Sequence, residues 1–284
     1  MAPNSVKEWL QANGYGSILS ERPVGGGCIN NGARLQTESG KAFFLKSNGR
    51  TPADMFEREA EGLDAIRVES GPRVPRSYLY GKDFILLEDL TPAARRPDYW
   101  PDFGRKLAAL HNHTGSQFGF DHDNYLGSTP QPNAWTDDGY VFYAGQRLMY
   151  QAKLAQRNGL LRPVEVGKVE RLCSRLKEWV PIQPASLIHG DLWSGNVLSD
   201  EQGAPAVIDP AVYYGWAEAE LAYTALFGAF PQAFYQAYQE VRPLEPGFWE
   251  RSSLYNLYHL LNHLNLFGEG YFSEVISVIR RYMK

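Results

Sequence analysis

The chain has 284 residues, 44% of them hydrophobic and 21% charged, an ordinary balance for a globular protein of one or two domains. Its formal net charge of −4 gives no electrostatic reason to expect nucleic acid or an anionic membrane as a partner. Two cysteines, Cys28 and Cys173, are too few for a disulfide framework or a cysteine-based zinc site, and both fit a reducing compartment. The N-terminus lacks the apolar stretch of a signal peptide, and no apolar run reaches transmembrane length. We therefore expect a cytoplasmic protein.

The pattern up to residue 88 predicts a mostly β unit with one long helix. In chain order we predict a helix over 5–13, two strands joined by a glycine-rich connection within Val24–Leu35, a strand over 41–46, a helix over 52–66, and a hairpin of strands 77–79 and 84–87.

After Pro92 the pattern becomes mainly helical. We predict helices over 103–113, 140–158 and 164–180, two short strands over 185–188 and 206–208, and helices from 218 to 282. Residues 115–138 interrupt this pattern with Gly, Pro, Asn and Asp, and a loop of that length is often functional.

The strongest chemical signal is the segment His189–Asn196, followed by Asp209 between apolar residues and Pro210. Phosphoryl transfer needs a carboxylate that accepts or orients the acceptor hydroxyl, and oxygen ligands that hold Mg²⁺ against nucleotide phosphates. Asp191 suits the first role, and Asn196 and Asp209 suit the second. We therefore predict an ATP- and Mg²⁺-dependent kinase with Asp191 as the catalytic base.

The N-terminal unit supplies the parts that such a site lacks. Gly25, Gly26 and Gly27 would let backbone N–H groups approach phosphates, although a glycine run is more often only a turn. Lys46 follows this segment at the right distance to reach the α- and β-phosphates, although a lysine at a strand end is usually solvated. Glu59 on the following helix is the expected partner of Lys46.

Together these residues resemble the protein-kinase-like phosphotransferases that include aminoglycoside and choline kinases, and within them the fructosamine (ketosamine) kinase family. The His189–Asn196 motif belongs to the whole superfamily, whereas the stretches 118–133 and 209–215 point to the ketosamine kinases. Further stretches carry the likeness at 25–30, 43–46, 55–60 and 107–111.

The resemblance implies an α+β, two-lobed kinase-like fold, with a nucleotide-binding lobe at 1–88 and a catalytic and acceptor-binding lobe at 89–284. It implies phosphorylation of the sugar 3-hydroxyl of fructosamines or ribulosamines, free or attached to protein lysines, as deglycation repair. It further implies that Glu88, Asp89 and Leu90 form the hinge that presents backbone groups to adenine.

The resemblance also implies an acceptor side, and here we predict contacts from Asn124, Tyr125, Asn133, Trp193 and Trp216. The aromatic face of Trp193 suits a sugar ring, although plain packing explains it equally well. Trp216 departs from the family pattern, in which a histidine follows Tyr-Tyr-Gly, so an acceptor contact is expected to differ here.

Two other functions stay open. One is a small-molecule kinase of the aminoglycoside or choline kinase type, which the acidic residues Asp121, Asp123, Asp137 and Asp138 would suit. The other is a pseudokinase, which the intact catalytic motif argues against.

Cys28, in the glycine-rich segment, is either a small apolar filler or a redox-sensitive thiol. The second reading predicts a protein that is a monomer or a redox-dependent dimer.

Overall fold

The computed structural model describes residues 1–25 and 31–283. The predictions for Gly26, Gly27 and Cys28 lie outside the described residues. None of the helices in the described part of the chain combines the length and apolar character needed to span a bilayer.

The N-terminal part forms a five-stranded antiparallel sheet with strand order β1-β2-β3-β5-β4. Helix α1 precedes the sheet in the chain, and α2 lies between β3 and β4 in the chain. The bounds are α1 Asn4–Ala12, β1 Ile18–Val24, β2 Asn31–Thr37, β3 Ala42–Ser47, α2 Met55–Ala65, β4 Ser77–Gly81 and β5 Phe84–Glu88. The sheet therefore ends at the residue where the predicted N-terminal lobe ends.

The two faces of this sheet pack differently because side chains alternate along a strand. One face packs Leu35, Phe43 and Leu45 against Val6 and Leu10 of α1, forming a small separate core. Phe56, Ala60 and Leu63 of α2, with Ile85 and Leu87 of β5, instead join the large core of the rest of the molecule. Helix α2 is therefore packed into the second lobe as well as the first.

The second lobe is mainly helical. Its helices are α3 Tyr99–His111, α4 Gly139–Phe142, a π-helical segment Tyr143–Met149, α5 Tyr150–Arg157, α6 Pro163–Ser174, α7 Ala217–Tyr223, α8 Gln232–Val241, α9 Phe248–Phe267 and α10 Phe272–Arg281. Single 3₁₀ turns occur at Leu176–Glu178, Ser194–Asn196 and Glu269–Tyr271.

Short strands build the surface that faces the first lobe. They are β6 Thr114–Gly115, β7 Asn124–Leu126, β8 Thr129–Gln131, β9 Ala185–Ile188, β10 Val197–Ser199, β11 Pro205–Val207 and β12 Tyr213–Gly215. Strands β7 and β8 form one hairpin, β10 and β11 form another, and β9 lies between β12 and β6.

Most predicted elements are confirmed, with several differences. The helix predicted over 164–180 ends at Ser174, and the strands β6, β10 and β12 have no predicted counterpart. Helix α3 begins at Tyr99 and not at Phe103, because Pro101 lies in its first turn, where a missing N–H costs nothing. The predicted helix over 140–158 contains the π-helical segment. The predicted loop 115–138 contains the hairpin β7–β8, which its Gly, Pro and Asn content hid.

Candidate active site

A cleft of about 460 Å³ lies between the two lobes. It gathers residues predicted from widely separated parts of the sequence. The predicted residues that line it are Gly25, Lys46, Glu59, Glu88, Asp89, Leu90, Asn124, Tyr125, Asp191, Trp193, Asn196 and Asp209. Asn133 and Trp216 do not line it.

Lys46 lies on β3 in the middle of this cleft. Its ammonium donates to Glu59 Oε1 at 2.6 Å and also contacts the carboxylate of Asp209. Burial opposes the charge, but the two carboxylates outweigh it and raise the pKa of Lys46. Lys46 is therefore a buried, permanently charged cation, and not the solvated strand end that such a lysine usually is.

The loop formed by His189–Asn196 begins with a backbone turn that only glycine fits. Gly190 has φ +83°, and a Cβ there would lie 2.0 Å from the carbonyl oxygen of Ala211. His189 Nε2 donates to the carbonyl of Ile208 at 2.9 Å, and Ala211 N donates to the carbonyl of His189 at 2.8 Å. The loop is therefore tied to the segment on either side of Asp209.

Asn196 closes the other end of this loop. Its side-chain nitrogen donates to the backbone carbonyl of Asp191 at 2.8 Å and to the Asp191 carboxylate at 3.1 Å. Both contacts use the amide nitrogen, so the amide oxygen of Asn196 stays available as a ligand.

A buried carboxylate beneath the loop fixes its backbone. Glu220, on α7, accepts hydrogen bonds from Gly190 N at 2.6 Å and His189 N at 3.0 Å. His111 Nε2 lies 2.9 Å from the same carboxylate, and both side chains are fully buried. Burial opposes ionisation of Glu220, but these hydrogen bonds outweigh it and lower its pKa, so the carboxylate stays ionised.

Asp191 has the electrostatics of a proton acceptor that works near neutral pH. Burial raises the pKa of its carboxyl to about 7, with hydrogen bonds from Tyr223 and Asn196 opposing and the charge of Asp209 adding to the rise. A base with a pKa near the working pH transfers protons most effectively.

Asp209 adopts a backbone conformation that few residues other than glycine accept. Its φ is +59°, in the left-handed region where aspartate is tolerated. Such outliers occur often at functional sites. Its side chain is 41% exposed and so retains access to the cleft beside Lys46.

The donors at this point fit a magnesium ion. Asp209 supplies carboxylate oxygen and Asn196 supplies amide oxygen, and Mg²⁺ is usually held by one or two protein oxygens together with substrate phosphates. Among the described residues no group of three or more His, Cys, Asp and Glu side chains is placed to hold a metal ion.

The predicted hinge side chains are engaged by neighbouring arginines. Glu88 contacts Arg73 at 2.6 Å and Asp89 contacts Arg34 at 2.8 Å. The negative charges of both side chains are therefore balanced by arginines. This fits the expectation that the segment contacts adenine through its backbone groups.

Internal hydrogen bonds engage two of the residues that were predicted to contact the acceptor. The side-chain amide of Asn124 is engaged at both ends: Nδ2 donates to Val212 O at 2.8 Å, and Oδ1 accepts from Gln131 at 2.7 Å. Asn133 is fully buried, and its Oδ1 accepts from Arg147 at 2.7 Å. Asn133 therefore cannot contact an acceptor, which corrects its prediction. Asn124 lines the cleft, so its acceptor contact stays a prediction.

The three aromatic candidates differ from one another. Trp193 lies in the cleft next to Asp191, where a sugar ring could reach it. Tyr125 also lines the cleft, but its hydroxyl donates to Asp54 at 2.6 Å.

Trp216 is only 3% exposed and lies within a cluster of aromatic rings, with the Tyr143 ring centroid 5.0 Å and the Tyr140 ring centroid 5.4 Å away. The predicted acceptor contact of Trp216 is therefore replaced by a packing role.

Sequence reasoning missed Glu220 and Tyr223, which support the loop from α7. They lie at the start of an apolar stretch that predicts a buried helix. Their spacing of three residues places them on the same helix face, and this is the sequence feature that could have identified them. A buried glutamate needs partners, so its position inside an apolar run indicates a structural charge.

Three comparisons with known proteins agree with one another. The sequence model of the family described as fructosamine kinase matches residues 1–284. A protein of Synechocystis described as a probable ketoamine kinase is 43% identical over 94% of this chain and 91% of its own length. The chloroplastic protein-ribulosamine 3-kinase of Oryza sativa subsp. indica is 41% identical over all of this chain and 85% of its own length.

A crystal structure of a protein of Thermobifida fusca, described as a fructosamine-3-kinase, has 31% sequence identity and a TM-score of 0.89, covering 99% of both chains. The two-lobed α+β fold predicted from the sequence is thereby confirmed.

Proposed function

The chain belongs to the fructosamine kinase family and is an ATP-dependent phosphotransferase, and we propose that it phosphorylates the sugar 3-hydroxyl of ketosamines with Asp191 as the base. The acceptors are fructosamines and ribulosamines, free or attached to protein lysines, and the reaction serves deglycation. Free Cys173 is compatible with work in the reducing cytoplasm.

One observation carries this proposal. The Asp191 carboxylate, the Asn196 amide and the Asp209 carboxylate lie in the same cleft as Lys46, which is paired with Glu59. This is the set of groups that phosphoryl transfer requires, since the protein's task there is positioning and charge stabilisation.

Each residue then has a defined task. Lys46 offers a fixed positive charge to the nucleotide phosphates, while Glu59 and Asp209 hold that charge in place. Asn196 and Asp209 would hold Mg²⁺, which neutralises phosphate charge when bound. Asp191 orients the acceptor hydroxyl and accepts its proton.

Glu220 and Tyr223 hold the loop and the base so that the acceptor meets a fixed carboxylate. Trp193 supports the sugar ring from the side.

The acceptor class rests on the relatives. Proteins named for ketoamine and ribulosamine phosphorylation match almost the whole chain at 41% to 43% identity. An aminoglycoside or choline acceptor is the competing possibility, because the kinases that act on those acceptors belong to the same superfamily as the fructosamine kinases.

The test is an acceptor panel. ATP consumption is measured with ribulose- and fructose-linked amines, an aminoglycoside and choline, and the phosphorylated carbon of each product is identified by NMR. We expect turnover with the two ketosamines and a 3-phosphate product. Turnover only with the aminoglycoside or choline would overturn the proposal.

A further inference from the structure

The hairpin β7–β8 is bonded to the segment that follows Asp209. Asn124 Nδ2 donates to the carbonyl of Val212 at 2.8 Å, and Gln131 Nε2 donates to the carbonyl of Ala211 at 3.0 Å. The two side chains also bond to each other at 2.7 Å. Both strands of the hairpin therefore donate side-chain hydrogen bonds to the same backbone segment, two to three residues after Asp209.

The helical body of the second lobe bonds to the last residue of the hairpin and to the two residues that follow it. The hydroxyl of Tyr258, on α9, donates to Gln131 Oε1 at 2.6 Å. The guanidinium of Arg147 donates to Asn133 Oδ1 at 2.7 Å and to Pro132 O at 2.6 Å. Arg147 is fully buried, so these bonds are shielded from water.

Side chains in the hairpin and just before it contact α2 and the residue that precedes it. Tyr125 donates to Asp54, the residue just before α2, at 2.6 Å. His122 Nδ1 lies 3.3 Å from Glu61 Oε2 on the same helix. These contacts join the first turns of α2 to the second lobe.

Helix α2 also lies directly on the Asp209 segment. A Cβ at Gly62 would lie 3.3 Å from both the Pro210 and the Val212 side chains, so the absence of a side chain lets the helix approach this closely. Glu59, one turn earlier on α2, is the partner of Lys46.

We propose that the hairpin β7–β8 is a positioning element that couples α2 to the Asp209 segment, with Tyr125 as its positioning residue toward the nucleotide site. The hairpin grips the Asp209 backbone with Asn124 and Gln131 and holds the start of α2 with Tyr125. It thereby sets the spacing between Glu59 and Asp209, the two carboxylates that hold Lys46. This inference rests on the proposed nucleotide role of Lys46.

Tyr125 also remains the donor of its hydrogen bond to Asp54 over a wide pH range. Burial, together with the hydrogen bond to Asp54, raises the pKa of Tyr125 to about 12, so its hydroxyl stays a donor throughout the working range. Losing that one bond would leave the ring in place and free α2 to shift Glu59 relative to Lys46.

The experiment compares Tyr125→Phe with the wild type. We expect the KM for ATP to rise about five- to tenfold, the effect of one hydrogen bond, with the acceptor KM changed less than twofold. Tyr140→Phe is the matched control, because its hydroxyl donates to Val180 O at 2.8 Å within the second lobe. It should lose similar thermal stability and leave the ATP KM unchanged.

A double-mutant cycle identifies the partner. Asp54→Ala should reproduce the ATP effect of Tyr125→Phe, and the double variant should be no worse than either single variant. Additive effects, an unchanged ATP KM in Tyr125→Phe, or a rise in the acceptor KM alone would each overturn the positioning role.

Failure of the proposed function gives a different result: the wild type itself would neither bind Mg·ATP nor phosphorylate a ketosamine.

Discussion

Burial raises the pKa of the Asp191 carboxyl, and the hydroxyl of Tyr223 on α7 opposes that rise. The tyrosine cannot swing away easily. It is 2% exposed, and its ring lies flat on His259, with ring centroids 3.5 Å apart and planes 8° from parallel. Asp191 therefore accepts a hydrogen bond from Asn196 in its own loop and is influenced by Tyr223 from α7.

Tyr223→Phe should move the pH dependence of the reaction. The variant keeps the stacked ring but loses a donor to the ionised base, so the pKa of Asp191 rises and the acid limb of kcat/KM moves to higher pH, by about half to one unit. The measurement is the pH profile from 5 to 9. Tyr235→Phe is the control, since its hydroxyl bonds to Thr224 at 2.9 Å. Identical acid limbs in wild type and Tyr223→Phe would contradict this role.

Stability should depend on pH through Asp191. Its pKa rises from an ordinary 3.8 to about 7 on folding, so between these values the folded protein holds a proton that the unfolded chain has released. Stability therefore falls as pH rises through this window. Without nucleotide or metal, Asp191→Asn should unfold at a higher temperature than the wild type at pH 8, by on the order of 2–4 °C.

That difference should shrink steadily as the pH is lowered toward 4. Thermal melts at several pH values check this, and a difference that does not vary with pH would show that Asp191 is not the group responsible.

Lys46→Ala and Asp209→Asn should both damage nucleotide use, in different ways. Removing the ammonium takes away a charge placed against phosphate, so the KM for ATP should rise at least tenfold. Asp209→Asn keeps the left-handed backbone, which asparagine tolerates, but weakens a metal ligand. It should mainly lower kcat and raise the Mg²⁺ concentration needed for half-maximal rate. Normal ATP affinity and turnover in both variants would contradict the proposed roles.

Trp216→His should affect stability and leave acceptor preference unchanged. The substitution puts an imidazole into a buried aromatic cluster and leaves a cavity, at a cost of about 2 to 4 kcal/mol in unfolding free energy. Denaturant unfolding measures that loss. The ratio of kcat/KM for ribulosamine and fructosamine should stay as in the wild type. A changed kcat/KM ratio together with unchanged stability would contradict the packing role and indicate that Trp216 contacts the acceptor.

The sequence predicted the parts of the site that are local along the chain. Asp191 and Asn196 lie within one motif, and Asp209 follows between apolar residues, so spacing and residue type were enough. Lys46 and Glu59 followed from a strand and the helix after it. The strands of the first sheet and most helices were predictable because their apolar residues recur with the period of each structure.

The rest depended on contacts between distant segments. Tyr125 and Asp54 are 71 residues apart, and Asn124 and Val212 are 88 apart, so no local pattern shows that they bond. The same family stretch that suggested acceptor contacts for Asn124 and Asn133 is occupied by internal hydrogen bonds. Trp216 carries no sequence signal that separates a buried ring from one that faces a ligand.

The most direct test of the central claim is the effect of Asp191→Asn on phosphoryl transfer and on nucleotide binding. The carboxylate acts on the acceptor hydroxyl and not on the nucleotide. We therefore predict that kcat with a ketosamine falls by about 10²- to 10⁴-fold, while Mg·ATP affinity by calorimetry stays within about twofold of the wild type. A variant that keeps a kcat near that of the wild type would contradict the assignment of Asp191 as the base.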